Sequence, residues 1–241
     1  MSDIEADSYI GHENLELLSQ RYRFNDWLFN EVSHGLHGNI LEVGSGIGTF
    51  TEKLIKSFPK SHLTLTDISP TYIRELEEKY SNNGSITVCK LDLNNKRDYE
   101  NIGYKKFDSI IAINVLEHVE NDEFALAQLF NMLKENGILV ILVPSHKFLY
   151  NIIDKSVGHF RRYSKKDLEA KVGKTGFTIN KLHYFNLLGM IGWFINGNLL
   201  KNSKISDTGL KIFDQLVPLS KYSEMVMGKR TGLSIICYLK K

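Results

Sequence analysis

The sequence predicts an α/β protein: a doubly wound, mostly parallel seven-stranded sheet with helices on both faces, an N-terminal helical cap and an insertion before the last strand. Three observations predict it. Short β-branched runs alternate with amphipathic stretches from residue 39 to 143 in about five βα units. These runs are apolar on consecutive positions, which suits strands covered on both faces. A glycine-rich turn follows the first run and opens the first helix of the core.

The elements follow in order. Leu15, Leu18, Tyr22, Trp27, Leu28 and Val32 recur at helical spacings over 13–34, predicting a helix or helix pair within a cap that spans 1–38. Strands are expected at Ile40–Val43, Leu63–Thr66, Ile86–Leu91, Phe107–Ile113 and Ile138–Val143, with helices at Thr49–Phe58, Thr71–Tyr80 and Glu123–Leu133. After Pro144 the regularity falls, leaving a helix at Lys165–Val172 and strands at Phe177–Tyr184 and Leu233–Leu239. The chain thus divides into the cap, an α/β core over 39–184, an insertion or lid over 185–230 and a last strand over 231–241, all in one domain. The insertion is rich in aromatics and glycine and longer than a sheet connection needs.

Composition narrows the classes. Hydrophobic residues make up 42% and charged residues 24%, which fits a globular chain. A net charge of +2 is too small for nucleic-acid binding that rests on bulk charge. Cys89 and Cys237 each lie in an apolar run, so buried, reduced thiols are expected. Asp3, Glu5 and Asp7 stand where a secretory leader would be basic, and Tyr184–Leu200 is broken by Asn186, Gly189, Gly192, Asn196 and Gly197. A cytoplasmic protein with no membrane span is the expectation.

The glycine turn reads Glu42-Val43-Gly44-Ser45-Gly46-Ile47-Gly48. Glycines there let the backbone turn sharply and approach a ligand, and a helix N-terminus offers unpaired amide donors. A dinucleotide fingerprint wants its third glycine at position 49, which is Thr49. With an acid two residues before Gly44, the stretch resembles motif I of class I S-adenosylmethionine-dependent methyltransferases. That resemblance implies the cofactor S-adenosylmethionine, the product S-adenosylhomocysteine, and no binding of NAD.

Later strand ends extend the resemblance. Asp67 ends the second strand, where a carboxylate can accept both ribose hydroxyls, although it also suits a helix cap before Pro70. Asp92 follows the third strand, where the family's acid meets the adenine amino group, or it is a solvated loop residue. Asn114-Val115-Leu116-Glu117-His118 resembles the family's segment beside the sulfonium. The implied cofactor set is Glu42, Gly44, Ser45, Gly46, Gly48, Asp67, Ile68, Asp92, Leu93, Asn114 and Val115.

On the acceptor side, a base belongs at the carboxyl ends of strands four and five. His146 is the first candidate, with His118 and His159 beside it, and Tyr150 and Arg161 are expected to bind substrate. The run Gly158-His159-Phe160-Arg161-Arg162-Tyr163 resembles stretches of methyltransferases from cell-surface glycan and secondary-metabolite settings; the arginines could equally pin the loop to nearby acids. The resemblance therefore implies transfer of a methyl group to O, N or C of a small-molecule acceptor. The alternatives are an RNA or protein methyltransferase, disfavoured by the missing Asn/Asp-Pro-Pro motif, and a non-catalytic scaffold that keeps the cofactor pocket. No carboxylate cluster like that of the catechol group is present, so no metal is expected. A homodimer through 185–230 is a further expectation.

Overall fold

The structure, a computed structural model, describes residues 10–204 and 206–241. The first nine residues of the expected cap lie outside the described residues. The chain runs α1 (Ile10–Ser19), α2 (Tyr22–Val32), β1 (Ile40–Val43), α3 (Thr51–Ser57), β2 (Leu63–Asp67), α4 (Pro70–Tyr80) and β3 (Ile86–Lys90). It continues through α5 (Lys96–Ile102), β4 (Phe107–Ile113), α6 (Asp122–Met132), β5 (Leu133–Pro144), α7 (Ile152–Ser156) and α8 (Lys165–Val172). The last elements are β6 (Thr178–Phe185), α9 (Leu187–Trp193), α10 (Asp207–Met227) and β7 (Ser234–Lys240).

The seven strands lie in the order β3-β2-β1-β4-β5-β7-β6. Strands β1 to β5 are mutually parallel, and β7 runs antiparallel to both neighbours. The order reverses between β1 and β4, the point where open α/β sheets leave a crevice at their carboxyl edge. Successive residues feed opposite faces. Leu41, Ile110, Leu139 and Ile141 pack with Leu126, Leu129 and Met132 on one side. Ile40, Leu65, Ile111 and Val140 pack with Leu28, Leu54 and Leu76 on the other.

Two departures from the sequence expectation have local causes. Lys96–Ile102 is helical although only Tyr99 and Ile102 are strongly apolar; both are buried, and Asn95 caps the helix by accepting from the Arg97 N–H. β5 begins at Leu133, not Ile138, because Leu133 pairs with Phe107 before an irregularity returns the register at Ser109 and Ile138. Within it, Asn136 takes a left-handed φ of 64°.

The helices at both ends of the chain share one cover over the carboxyl edge. α10 lies along α2, where Phe24 packs edge-on against Phe213 and Trp27 lies 4.3 Å from Phe185 between ring centroids. The Arg21 guanidinium pairs with Asp207 at 3.0 Å, and the Phe24 N–H donates to Asp214 Oδ1. No helix among the described residues is long and apolar enough to cross a membrane. Both thiols are free, and burial pushes them above their ordinary range, Cys237 to about 12.

Candidate active site

A cavity of about 1200 Å³ opens between the carboxyl ends of β1 to β5 and the helical cover. It exceeds the roughly 300–1,000 Å³ usual for one small ligand, so it has room for two. Its floor is the glycine loop. Gly44, Gly46 and Gly48 have φ of 72°, 53° and 82°, and a Cβ on Gly44 would sit 2.5 Å from Val115 Cγ2. Gly44 is therefore required both by conformation and by the close approach of the β4 end. Gly48 does not line the cleft as expected of a cofactor contact: it packs against Leu76 and Tyr80, where it joins the loop to α4.

Three acids stand at neighbouring strand ends. Glu42 is buried and accepts from Thr51 Oγ1 at 2.6 Å; burial, with a smaller push from Asp67, raises it to about 7. Asp67 accepts from the N–H groups of Gly46 and Ser69, each at 2.9 Å, and burial raises it too. The helix cap is Ser69, whose hydroxyl accepts from the Tyr72 N–H, so Asp67 keeps its carboxylate toward the cleft. Asp92 holds an Asx turn by accepting from the Asn94 N–H. Ile68, Leu93, Asn114, Val115 and Ser45 complete this end of the lining. Carboxylates flanked by apolar walls suit ribose hydroxyls and a flat base. They would repel a pyrophosphate, and the two arginines among the described lining residues are already paired, Arg21 with Asp207 and Arg162 with Asp154. The residues present thus fit the sulfonium cofactor that their motif implies.

The other end of the cleft is assembled differently. The turn after β4 carries Glu117 and His118, and the extended stretch after α7 brings His159 and Arg162 against them. His159 and His118 meet edge to face with ring centroids 4.7 Å apart. Asp154 Oδ1 accepts from both His159 Nδ1 and Arg162 Nε, each at 2.8 Å. Burial alone would raise Asp154, but these two partners hold it below its ordinary value, ionised and purely an acceptor. Arg162 also donates to the Ser145 carbonyl and lies 4.5 Å from the Trp193 ring centre. Glu117 is fully buried, with neither carboxylate oxygen hydrogen-bonded, and desolvation pushes it up to about 8. Burial, with a smaller push from His159, lowers His118 to about 4, which makes it neutral at pH 7.

Of the expected acceptor residues, the fold brings His118 and His159 together and sends three others elsewhere. His146 takes a left-handed φ of 60° directly after Ser145. That turn carries its ring away from the cleft, flat against Tyr184 at 4.9 Å, with Nε2 at 3.0 Å from Thr231 Oγ1. Tyr150 does not close the pocket; its hydroxyl donates to the His159 carbonyl from behind. Arg161 points outward to Asp122 and the Glu120 carbonyl, pinning the loop, while Arg162 takes the inward place. From the sequence, Glu117 stands only within the segment expected beside the sulfonium, and Asp154 and Arg162 only within the expected site wall or as an ion pair pinning the loop. The available signal was a carboxylate between the apolar Leu116 and Val119, and an acid five and eight positions before His159 and Arg162.

Residues 41–139 match a family model described as a methyltransferase domain. Malonyl-[acyl-carrier protein] O-methyltransferase 1 of Ilyobacter polytropus is 24% identical over 147 residues, covering 58% of this chain and 53% of that protein. Probable polyketide synthase 10 of Dictyostelium discoideum is 28% identical over 185 residues, covering 68% of this chain but 7% of that protein. The chain therefore spans about half of the first relative and a small part of the second. Among solved structures, phosphoethanolamine N-methyltransferase 2 of Haemonchus contortus, in complex with phosphomonomethylethanolamine and S-adenosylhomocysteine, matches with a TM-score of 0.65 at 15% identity. That match covers all of this chain and 60% of the other.

Proposed function

We propose that this chain, whose residues 41–139 are a methyltransferase domain with S-adenosylmethionine as cofactor, transfers the methyl group to a small acceptor held at the histidine end of the cleft. The bound cofactor supplies an activated, sulfonium-borne methyl. What remains for the protein is to orient the acceptor's nucleophile, exclude water and take up a proton where the acceptor brings one. One observation carries this reading: the Glu117, His118 and His159 cluster closes the same cleft whose other end is the glycine loop, and both ends lie under the α2, α9 and α10 cover. Asp92 and Asp67 hold the far end of the cofactor, Asn114 and Val115 flank its reacting end, and the cluster faces the acceptor.

The walls favour an acceptor with an apolar body and one polar or acidic head. Phe185, Trp193, Leu210, Phe213 and Leu233 line the chamber together with Arg162 and the two imidazoles. The printed names of the relatives, a malonyl-carrier methyltransferase and a polyketide synthase, support a biosynthetic setting, in keeping with the secondary-metabolite alternative of the sequence analysis. A macromolecular acceptor is less well served. The basic run after Arg161 is partly neutralised in place, Lys171 by Asp122 and Lys174 by Glu123. The outward row of Ile212, Leu216, Leu219, Tyr222 and Met225 on α10 is exposed and supports a second copy of this chain as partner, which sedimentation at micromolar concentration would test.

The test of function is release of S-adenosylhomocysteine with a panel of carboxylic acids, carrier-bound acyl groups, phenols and amines. Transfer to one class is expected, and His159→Ala should reduce it by about 10²-fold or more while calorimetry finds cofactor affinity unchanged. Cofactor binding with no transfer to any class would favour a scaffold. Transfer to RNA or protein alone would overturn the small-acceptor reading.

A further inference from the structure

We propose that Glu117, His118 and His159 bind a divalent ion of zinc's class at the acceptor end of the cleft. From the sequence no metal is expected, because no carboxylate cluster like that of the catechol group is present; the fold makes the site from one acid and two imidazoles, one of them about forty residues away. One ligand atom from each of the three lies within 4.8 Å of the others, and His159 Nε2 stands 3.9 Å from Glu117 Oε1. A contraction of about an ångström would bring them to coordinating distance.

Two independent observations point to a cation there. The first is Glu117 itself. It is fully buried, both of its oxygens lack a hydrogen-bond partner, and one of them faces the His159 ring nitrogen. A carboxylate taken out of water without a donor is costly, and native proteins keep one where a proton, a water or an ion meets it. The second is the support behind the histidine. Asp154 accepts from His159 Nδ1, which fixes the tautomer whose Nε2 lone pair faces Glu117. This carboxylate–histidine pairing is the usual second layer of a metal site. His118 is also oriented, by a hydrogen bond to the backbone at Gly158.

The donor set selects the ion. Two nitrogens and one oxygen suit Zn²⁺, or Co²⁺ in its place, and do not suit Mg²⁺ or Ca²⁺, which take oxygens. Three protein ligands leave at least one position, and His118 and His159 both line the cleft, so that position faces the acceptor. The ligand it would take is an acceptor oxygen, most readily an anionic one. That last step deepens the proposed acceptor end and rests on it; ion binding itself does not.

The experiment uses the untagged full chain, stripped with a chelator and titrated with Co²⁺, then with Zn²⁺. One equivalent of cobalt with a visible d–d spectrum, displaced by zinc, is expected. Glu117→Gln should weaken binding by about 100-fold or more, and Asp154→Asn by about 10- to 100-fold. Calorimetry with S-adenosylmethionine reports that each variant is folded, and if Glu117→Gln does not fold, His159→Ala carries the same expectation. Absence of stoichiometric cobalt binding, or binding indifferent to these substitutions, would overturn the proposal. Cobalt bound by a chain that does not bind S-adenosylmethionine would sustain the ion site and overturn the methyltransferase reading instead.

Discussion

The two ends of one cleft are built on different plans. At the glycine-loop end, the groups that face the ligand belong to the last residues of β1, β2 and β3 or to the first residues after them. At the histidine end, Glu117 and His118 come from the turn after β4, Asp154 from α7, His159 and Arg162 from an extended stretch, and Trp193 from α9 beyond β6. The first plan is set by the sheet, because a parallel strand delivers its end to the carboxyl edge whatever the rest of the chain does. The second is set by long-range packing around one buried carboxylate. If the comparison is right, substitutions at the two ends should act on different observables.

The largest effect is expected at Asp154. Arg162 is almost wholly buried, and Asp154→Ala would leave its guanidinium without the acid that balances it. Breaking such a pair costs about 3–5 kcal/mol, because the surviving charge remains desolvated. Urea denaturation should show a loss of that size, while the folded fraction binds S-adenosylmethionine with unchanged affinity. A loss below about 1 kcal/mol would mean that Glu117 takes over as partner, and the histidine end would be more plastic than described.

A pH effect comes next, and it belongs to the glycine-loop end. Glu42 stands at about 7 in the folded chain against an ordinary 4.5, raised by burial. Below the ordinary value both folded and unfolded chains hold the proton. Between the two values only the folded chain does, so stability falls as pH rises through that window, reaching a cost of up to about 3 kcal/mol above it. Glu42→Gln should flatten the dependence of unfolding midpoint on pH across that window. An unchanged slope would show that the Thr51 hydroxyl holds Glu42 ionised.

Asp67→Ala should have a more modest and more specific effect. Removal of a carboxylate that accepts two ribose hydroxyls loses about 1.5–3 kcal/mol, a weakening of cofactor affinity by roughly 10- to 100-fold. Calorimetry checks it. An unchanged dissociation constant in a folded variant would leave Asp67 only as the group that ties the Gly46 and Ser69 amides.

Legibility in the sequence followed the same division. β1 and β4 were readable from consecutive apolar positions, β2 as a short run rich in β-branched residues, and Asp67 and Asp92 from their place at strand ends, because these are local relations. α5 was not readable, since a seven-residue helix with two apolar positions carries no measurable period. The cluster at the other end was only half readable. His118 and His159 stood out as histidines near strand ends, but nothing local says that Asp154 serves both His159 and Arg162, or that Arg161 and Arg162 point opposite ways. The direction of consecutive side chains in an irregular segment depends on backbone angles that only the packed fold fixes.

His146 is where that dependence is sharpest, and it gives the smallest predicted effect. From the sequence it is the leading base, two residues beyond the buried end of β5. The left-handed φ at that residue reverses the inference: its ring stacks on Tyr184, its Nε2 meets Thr231, and Phe148 lies beside it. Burial, with a smaller push from Arg162, lowers its pKa, so it is neutral at pH 7 but has no acceptor to serve. His146→Ala should therefore cost about 1 kcal/mol of stability from the lost hydrogen bond, and change turnover by less than about threefold. The same assay applied to His159→Ala should lose about 10²-fold, so the two histidines separate the sequence reading from the structural one in a single comparison. A reversal of that order would mean that residues 144–163 turn over when the acceptor binds, bringing His146 inward, and the histidine end would then be a moving part rather than a fixed wall.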